Sequence, residues 1–331
     1  MTKGLLTTSV GSFPKPDYLL RARTKTARGE MSAEELLTLE RKATEHWIRL
    51  QEEMGIDILV DGEMYRGDMV TYFSEHMQGF KVSGLVRSYG NRYYRKPIAV
   101  GPVGRSDAIT VDWWQYAQSL TDLPVKGMLT GPYTIADWSF NEHYPSREAF
   151  ILDLARVVHE EAVDLERAGV KYLQIDEPAI CTRPEEMELA SRALGIVTEG
   201  LGIYTITHAA EYTQTYAEAT AVFDELVHLP VDNLDLEMAN SDYFLLDVFR
   251  EKGLPEDMAV SLGVTDVHTH EVETVSVIKE GILKGLEVLP PERLFIKPDC
   301  GLKTRQEDEA VGKLRNMVAA VREVKAELGI E

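Results

Sequence analysis

The sequence predicts an α/β fold, a (β/α)8 TIM barrel with an inserted hairpin or long loop near residues 80–103, built as one domain over residues 1–331. Three observations lead there. Short β-rich runs alternate with amphipathic helices along the whole chain. No Pro/Gly/Ser linker, short-period repeat or low-complexity segment divides it, and 331 residues suit a single barrel. Polar side chains capable of chemistry stand at, or just after, the C-terminal ends of the proposed strands.

The first strand-like run is Leu5 to Val10. A long helix is announced by Ser32-Ala33-Glu34-Glu35, a capping box, after which Leu36, Leu39, Ala43, Trp47, Leu50 and Met54 share a face and Gly55 ends the helix. The strand Ile56 to Val60 follows at once. Residues 80–103 break the rhythm: they are rich in Gly, Tyr and Arg and read as an ordered insertion, because their aromatics argue against disorder. Val125 to Leu129 is the next strand. Ser146 then opens a helix with the stripe Ile151, Leu154, Val158, Ala162 and Leu165, stopped by Gly169 ahead of the strand Val170 to Ile175. Further strand-like runs are Ile203 to Thr207, Leu234 to Leu236, Met258 to Leu262 and Leu294 to Ile296. Thr304-Arg305-Gln306-Glu307 reads as a second capping box before the last helix, whose stripe is Val311, Leu314, Val318, Val321 and Leu328.

The net charge of −20 repels phosphate backbones and anionic lipid, so neither nucleic acid nor membrane is an expected partner. The first residues lack a signal-peptide core, and no apolar run reaches the length of a membrane span, so a cytoplasmic location is expected. Two cysteines, Cys181 and Cys300, make no disulfide scaffold and are expected reduced, packed or bound to metal.

Eight runs with helical crossovers fit a parallel barrel or a doubly wound sheet. The strand-end residues Ser12, Glu63, Asp176, His208, Glu237, His268 and Cys300 would converge on one rim in a barrel and spread along a crevice in the open sheet. His208, Glu237 and Cys300 offer nitrogen, oxygen and sulfur, a donor set that suits Zn2+ with an open position for a substrate thiol. The plainer reading of each is a packed rim histidine, a surface carboxylate and a buried thiol. Glu63 and Asp176 fit an ammonium-binding pair, an acid/base pair or structural caps. His268 reads as a proton donor oriented by Asp266, or as a helix-terminal histidine. Trp138 reads as the wall of a flat ligand site, or as core.

Several runs together resemble a known family. Gly11-Ser12-Phe13-Pro14, Asp61-Gly62-Glu63 with Arg66 to Val70, Ser88-Tyr89-Gly90-Asn91-Arg92, Lys126 to Pro132, Gln174-Ile175-Asp176-Glu177-Pro178-Ala179 and Lys297 to Arg305 are similar to the catalytic C-terminal barrel of cobalamin-independent methionine synthase, in the family's order and over nearly the whole chain. The resemblance implies a zinc-bearing barrel that methylates L-homocysteine. It implies His208, Glu237 and Cys300 as zinc ligands, Ser12, Glu63 and Asp176 around the amino acid part of homocysteine, His268 in proton transfer, and Arg92 and Trp138 on the methyl-donor side. It also implies the short form that lacks the family's N-terminal barrel, for which methylcobalamin or a methyl-corrinoid protein is the expected donor, with methyltetrahydrofolate as the alternative.

One residue departs from the pattern. The family places a cysteine two residues after the zinc-binding histidine, and here that position is Ala210. Loss of a thiolate lowers metal affinity and leaves the site more electropositive, with Cys181 as the candidate replacement ligand. Two rival readings follow: a relative that alkylates another thiol, and a metal-poor paralogue that only binds homocysteine or methionine.

Overall fold

The computed structural model describes residues 4–87, 93–209 and 216–330. The eight expected strand runs all pair. Seven form one sheet, β1 (Leu6–Thr7), β4 (Gly127–Thr130), β6 (Tyr172–Asp176), β7 (Tyr204–Ala209), β8 (Asn233–Leu236), β9 (Ala259–Gly263) and β10 (Leu294–Lys297), in the order β1-β10-β9-β8-β7-β6-β4. The eighth run contributes parallel bridges from Ile58 to Thr8 and from Leu59 to Val125. The fold is therefore α/β of the (β/α)8 TIM-barrel class, with the insertion present as an antiparallel hairpin of β2 (Gln78–Arg87) and β3 (Tyr93–Gly104).

The chain divides into two compact units, neither continuous in sequence. The first comprises Met1–Tyr65, Trp113–Lys126 and Asp235–Glu331. It contains β1, β9, β10, α1 (Asp17–Ala27), α2 (Ala33–Met54), most of α4 (Val111–Ser119), α9 (Phe244–Lys252), α10 (Val275–Leu286) and α11 (Glu307–Leu328). Helix α2 follows the sequence reading closely: Ser32 accepts from the Glu35 amide, Glu35 reaches back to the Ser32 amide, and Gly55 ends the helix at φ 84°. That left-handed backbone costs a glycine nothing. Trp47 is fully buried, stacks on Phe13 at 4.3 Å and donates its indole N–H to the Pro14 carbonyl. The α11 box lies two residues later than expected, because Gln306 rather than Thr304 caps the helix and Glu309 answers it. Leu314, Val318 and Val321 are buried as their spacing demands, whereas Leu328 is exposed.

The second unit comprises Arg66–Asp112 and Gly127–Leu234. It contains α3 (Met69–His76), the β2–β3 hairpin, β4, α5 (Pro132–Asp137), β5 (Phe140–Asn141), α6 (Arg147–Ala168), β6, α7 (Met187–Thr198), β7 and α8 (Tyr216–Leu226). Ser146 caps α6 and Gly169 ends it at φ 108°, with Ile151, Leu154, Val158, Ala162 and Leu165 all buried. The exit of the hairpin is anchored through one buried carboxylate. Glu161 accepts from the amides of Ile109 and Thr110 at 2.8 and 2.7 Å, from the Thr110 hydroxyl, and from Arg105. Arg105 also pairs with Glu160 and Asp164.

Removal of Glu161 would strand two amides and take one of three carboxylate partners from a mostly buried guanidinium. Glu161→Ala is expected to lower the unfolding free energy by about 3 kcal/mol, read as a shift of the urea midpoint at unchanged m-value.

Candidate active site and metal centre

Register sets the level of the strand ends in the second unit. Asp176, the last residue of β6, pairs with His208 of β7, and the Glu177 amide donates to the His208 carbonyl at 2.8 Å. Both side chains are buried, Asp176 at 6% and His208 at 3% exposure. The Gln174 amide donates to Asp176 Oδ1 at 2.6 Å, which orients the carboxylate from the same face of its own strand. Glu177 is completely buried. Its carboxylate accepts from the amides of Tyr133 and Thr134, the first free donors of α5, and burial still pushes its pKa up to about 7. Gly131 makes room for it, since a Cβ there would fall 2.1 Å from Glu177 Cδ. Trp138 caps the other end of α5, half-buried, and its carbonyl accepts from the Tyr94 hydroxyl at 3.1 Å.

The first unit has an analogous arrangement. Asp299 is fully buried, with Oδ1 accepting from the amides of Met238 and Ala239 and Oδ2 from that of Asn240, at 2.8–2.9 Å. It thereby ties the turn that follows Glu237 to the residue that precedes Cys300. Burial nevertheless raises its pKa, to about 6. Beneath it, Lys297 and Asp235, both wholly buried, pair at 2.6 Å, and the Lys297 ammonium also donates to the Asp299 carbonyl. Glu237 is 4% exposed; its Oε2 accepts from the Asn240 amide group at 3.0 Å and lies 3.5 Å from His268 Nε2.

The amino-terminal loops of this unit bring two further expected residues into defined conformations. Glu63 has φ 55°, a left-handed backbone that costs a non-glycine residue energy and that marks functional turns. Its amide donates to Asp61 Oδ1 at 2.8 Å, and its carbonyl accepts from Lys15, whose burial lowers its pKa to about 8. Ser12 is buried, with its carbonyl accepting from the Leu302 amide at 2.7 Å; a side chain at Gly301 would strike Ser12 Oγ at 2.2 Å.

His208, Glu237 and Cys300 each present one ligand atom, and these atoms lie within 4.8 Å of one another. Imidazole nitrogen, carboxylate oxygen and thiol sulfur at that spacing form a group able to hold a metal ion. Cys181, in the short 3-10 turn Ile180–Thr182, is not a member of the group. Asp266 Oδ1 accepts from the main-chain amide of His268 at 2.7 Å and shapes the turn, and the His268 ring lies 3.5 Å from Glu237. Arg92 and Ala210 lie outside the described residues. The sequence reading passed over Glu177, Asp299, Lys297 and Asp235, although a charge within an otherwise apolar strand run, as in Leu234-Asp235-Leu236 and Phe295-Ile296-Lys297, was a visible signal for the last two.

Fold and donor set define a parallel α/β-barrel protein with a candidate metal centre at the C-terminal strand ends. Residues 5–323 match the family described as "Cobalamin-independent synthase, Catalytic domain", and the chain belongs to that family. It is 39% identical, over 97% of its length, to a protein of Chelativorans sp. (strain BNC1) and to one of Mycolicibacterium paratuberculosis, each named 5-methyltetrahydropteroyltriglutamate–homocysteine methyltransferase. The chain spans only 42% and 43% of those relatives. It also superposes with a TM-score of 0.86, at 29% identity and over 98% of this chain and 99% of the other, on a B12-independent methionine synthase from Shewanella sp. W3-18-1 in complex with selenomethionine.

These likenesses correct the expected donor. The family is the cobalamin-independent one and the relatives' names carry a methyltetrahydropteroyl compound, so neither methylcobalamin nor a corrinoid protein partner is supported. No helix among the described residues is long and apolar enough to cross a membrane.

Gly263 is the test of the Asp299 cradle, because a Cβ there would lie 2.0 Å from Asp299 Oδ1 and 3.0 Å from the Leu236 carbonyl. Gly263→Ala is expected to cost about 2–4 kcal/mol through overpacking and lost amide bonds, measured by denaturant unfolding of the metal-free protein.

Proposed function

We propose that the chain is a zinc-dependent methyltransferase that moves a methyl group from 5-methyltetrahydropteroyltriglutamate to the thiol of L-homocysteine, forming methionine. The observation that carries this reading is the His208, Glu237 and Cys300 group, buried or half-buried at the strand ends of a chain of this family. The relatives' names supply the acceptor and the donor. The donor set fits Zn2+, which when bound would favour the ionised form of an acceptor thiol whose free pKa is about 8.5.

The remaining work falls to the chain's own side chains. Glu63 and Asp176 would hold the ammonium of homocysteine, and Ser12 would bind beside its carboxylate. The left-handed turn at Glu63 and the Gln174 contact to Asp176 fix these groups before the substrate arrives, so less ordering entropy remains to be lost. His268 is half-exposed and faces Glu237, a position from which its imidazole could take up the proton that leaves the thiol and return it to the pterin nitrogen that loses the methyl group. Trp138 would bound the donor side, together with Arg92. A sulfur–carbon bond forms as the nitrogen–carbon bond breaks, and catalysis is mainly alignment of the two.

Ala210 favours a second reading, a paralogue that binds the amino acid without holding metal. Zinc content decides between them. The purified chain is expected to carry close to one equivalent of zinc, lost in Cys300→Ala, and to make methionine from homocysteine and the triglutamylated donor. Zinc-free protein that still binds methionine would instead establish the binder. Asp299→Asn keeps size but weakens the amide cradle, and is expected to lower zinc affinity about 10- to 100-fold in a chelator competition.

A further inference from the structure

Between β9 and α10, residues 264–274 form neither strand nor helix, and this loop carries His268. The half-exposed imidazole stands 3.5 Å from Glu237, so packing alone does not fix it and the backbone beneath it must. Bonds inside the loop close only small turns: the His268 amide donates to Asp266 Oδ1, and the Glu271 amide to Thr269 Oγ1. One face of α11 sets the loop as a whole.

Glu309, Gly312, Lys313 and Asn316 follow the three- and four-residue spacing that aligns side chains along a helix, and all four meet the loop. His270 Nδ1 lies 2.8 Å from Glu309, a Cβ at Gly312 would fall 3.0 Å from Val272 Cγ1, and the Asn316 side chain donates to the Glu273 carbonyl at 2.6 Å. Lys313 is central to this face. Its side chain is inaccessible, and its ammonium has three protons for three loop oxygens: the carbonyls of Asp266, at 2.9 Å, and of Glu271, and the Glu273 carboxylate, at 2.9 Å. The other oxygen of Glu273 accepts from the Asp266 amide at 2.7 Å. The chain before His268 and the chain after it are thus tied to one cation.

Packing gives no reason for that charge. Lys313 sits among Ala310, Leu314 and Met317 in the buried stripe of α11, where an apolar side chain would serve the helix as well, since a buried ion pair adds little net stability. What the ammonium supplies is a directed bond to each of three oxygens, which fixes the path of the backbone. We propose that Lys313 is the positioning residue for His268: its ammonium sets the loop so that the imidazole faces Glu237. The inference rests on the proposed function for what the ring does there, and on the loop geometry for where the ring is held.

The test compares the zinc-loaded wild-type protein with Lys313→Met, with His268→Asn and with the two combined. Lys313→Met is expected to lower kcat for methionine formation about 10- to 100-fold, with the KM for homocysteine and the zinc content unchanged. On the His268→Asn background it should lower kcat no further, because residues acting as one unit are not additive. Two readouts need no turnover. Amide exchange at Asp266 and His268 is expected to speed up in Lys313→Met while that of β9 stays as in the wild type, and the His268 ring resonances, recognised by their loss in His268→Asn, should move. Glu273→Gln, which has one acceptor atom where the carboxylate has two, is expected to change exchange and ring signals in the same direction, and it carries the test where loss of the buried cation impairs folding. Loop exchange and ring signals unchanged in both variants, or a kcat loss that adds to that of His268→Asn, overturns the proposal. A wild-type chain that makes no methionine, with loop exchange and ring signals altered in the variants as expected, overturns the proposed function and leaves the assignment of Lys313 standing.

Discussion

The candidate centre depends on one kind of interaction, a buried carboxylate solvated by the main-chain amides of a turn. Asp299 and Glu177 are each almost inaccessible, and each takes backbone N–H groups from a segment distant in sequence. A bare carboxylate at such depth would cost far more than a domain can spare, so the turns are held wherever the carboxylates are. Asp299 joins the turn after Glu237 to the approach to Cys300, and Glu177 joins the end of β6 to the start of α5. Both acids titrate upward, to about 6 and about 7, because desolvation outweighs the amides that oppose it. The glycines Gly263 and Gly131 follow from the same constraint, since any side chain there would occupy the carboxylate's place.

The fold was legible in the sequence because its signals are local. Ser32 with Glu35 and Gly55, or Ser146 with Gly169, bracket helices through hydrogen bonds that span only a few residues, and each strand run is short and apolar. The α11 cap shows the limit: Thr304 and Gln306 both have side chains that can cap, and only the path of the chain after Leu302 selects the second. The donor set was legible as chemistry at strand ends. The cradle was not, because Asp299 in Lys297-Pro298-Asp299-Cys300 looks like any polar residue beside a reactive one until its partners at residues 238–240 are seen. Adjacency marked Asp266 as the orienting partner of His268, and at a separation of two residues the contact runs to the main-chain amide.

Ala210 bears on the balance of charge at the metal. With His208, Glu237 and Cys300 as the donors, Zn2+ would receive two anionic ligands instead of the three available when a second cysteine is present, and the ion would keep more of its charge. A thiol bound there would ionise more readily, yet its electrons would be drawn further toward the metal, and nucleophilicity falls as thiol pKa falls. Such a centre trades attack rate for occupancy, which places greater weight on alignment. The rigid features around the site, the left-handed turn at Glu63, the Asp299 cradle and the Asp235–Lys297 pair, are what a chain relying on alignment would need.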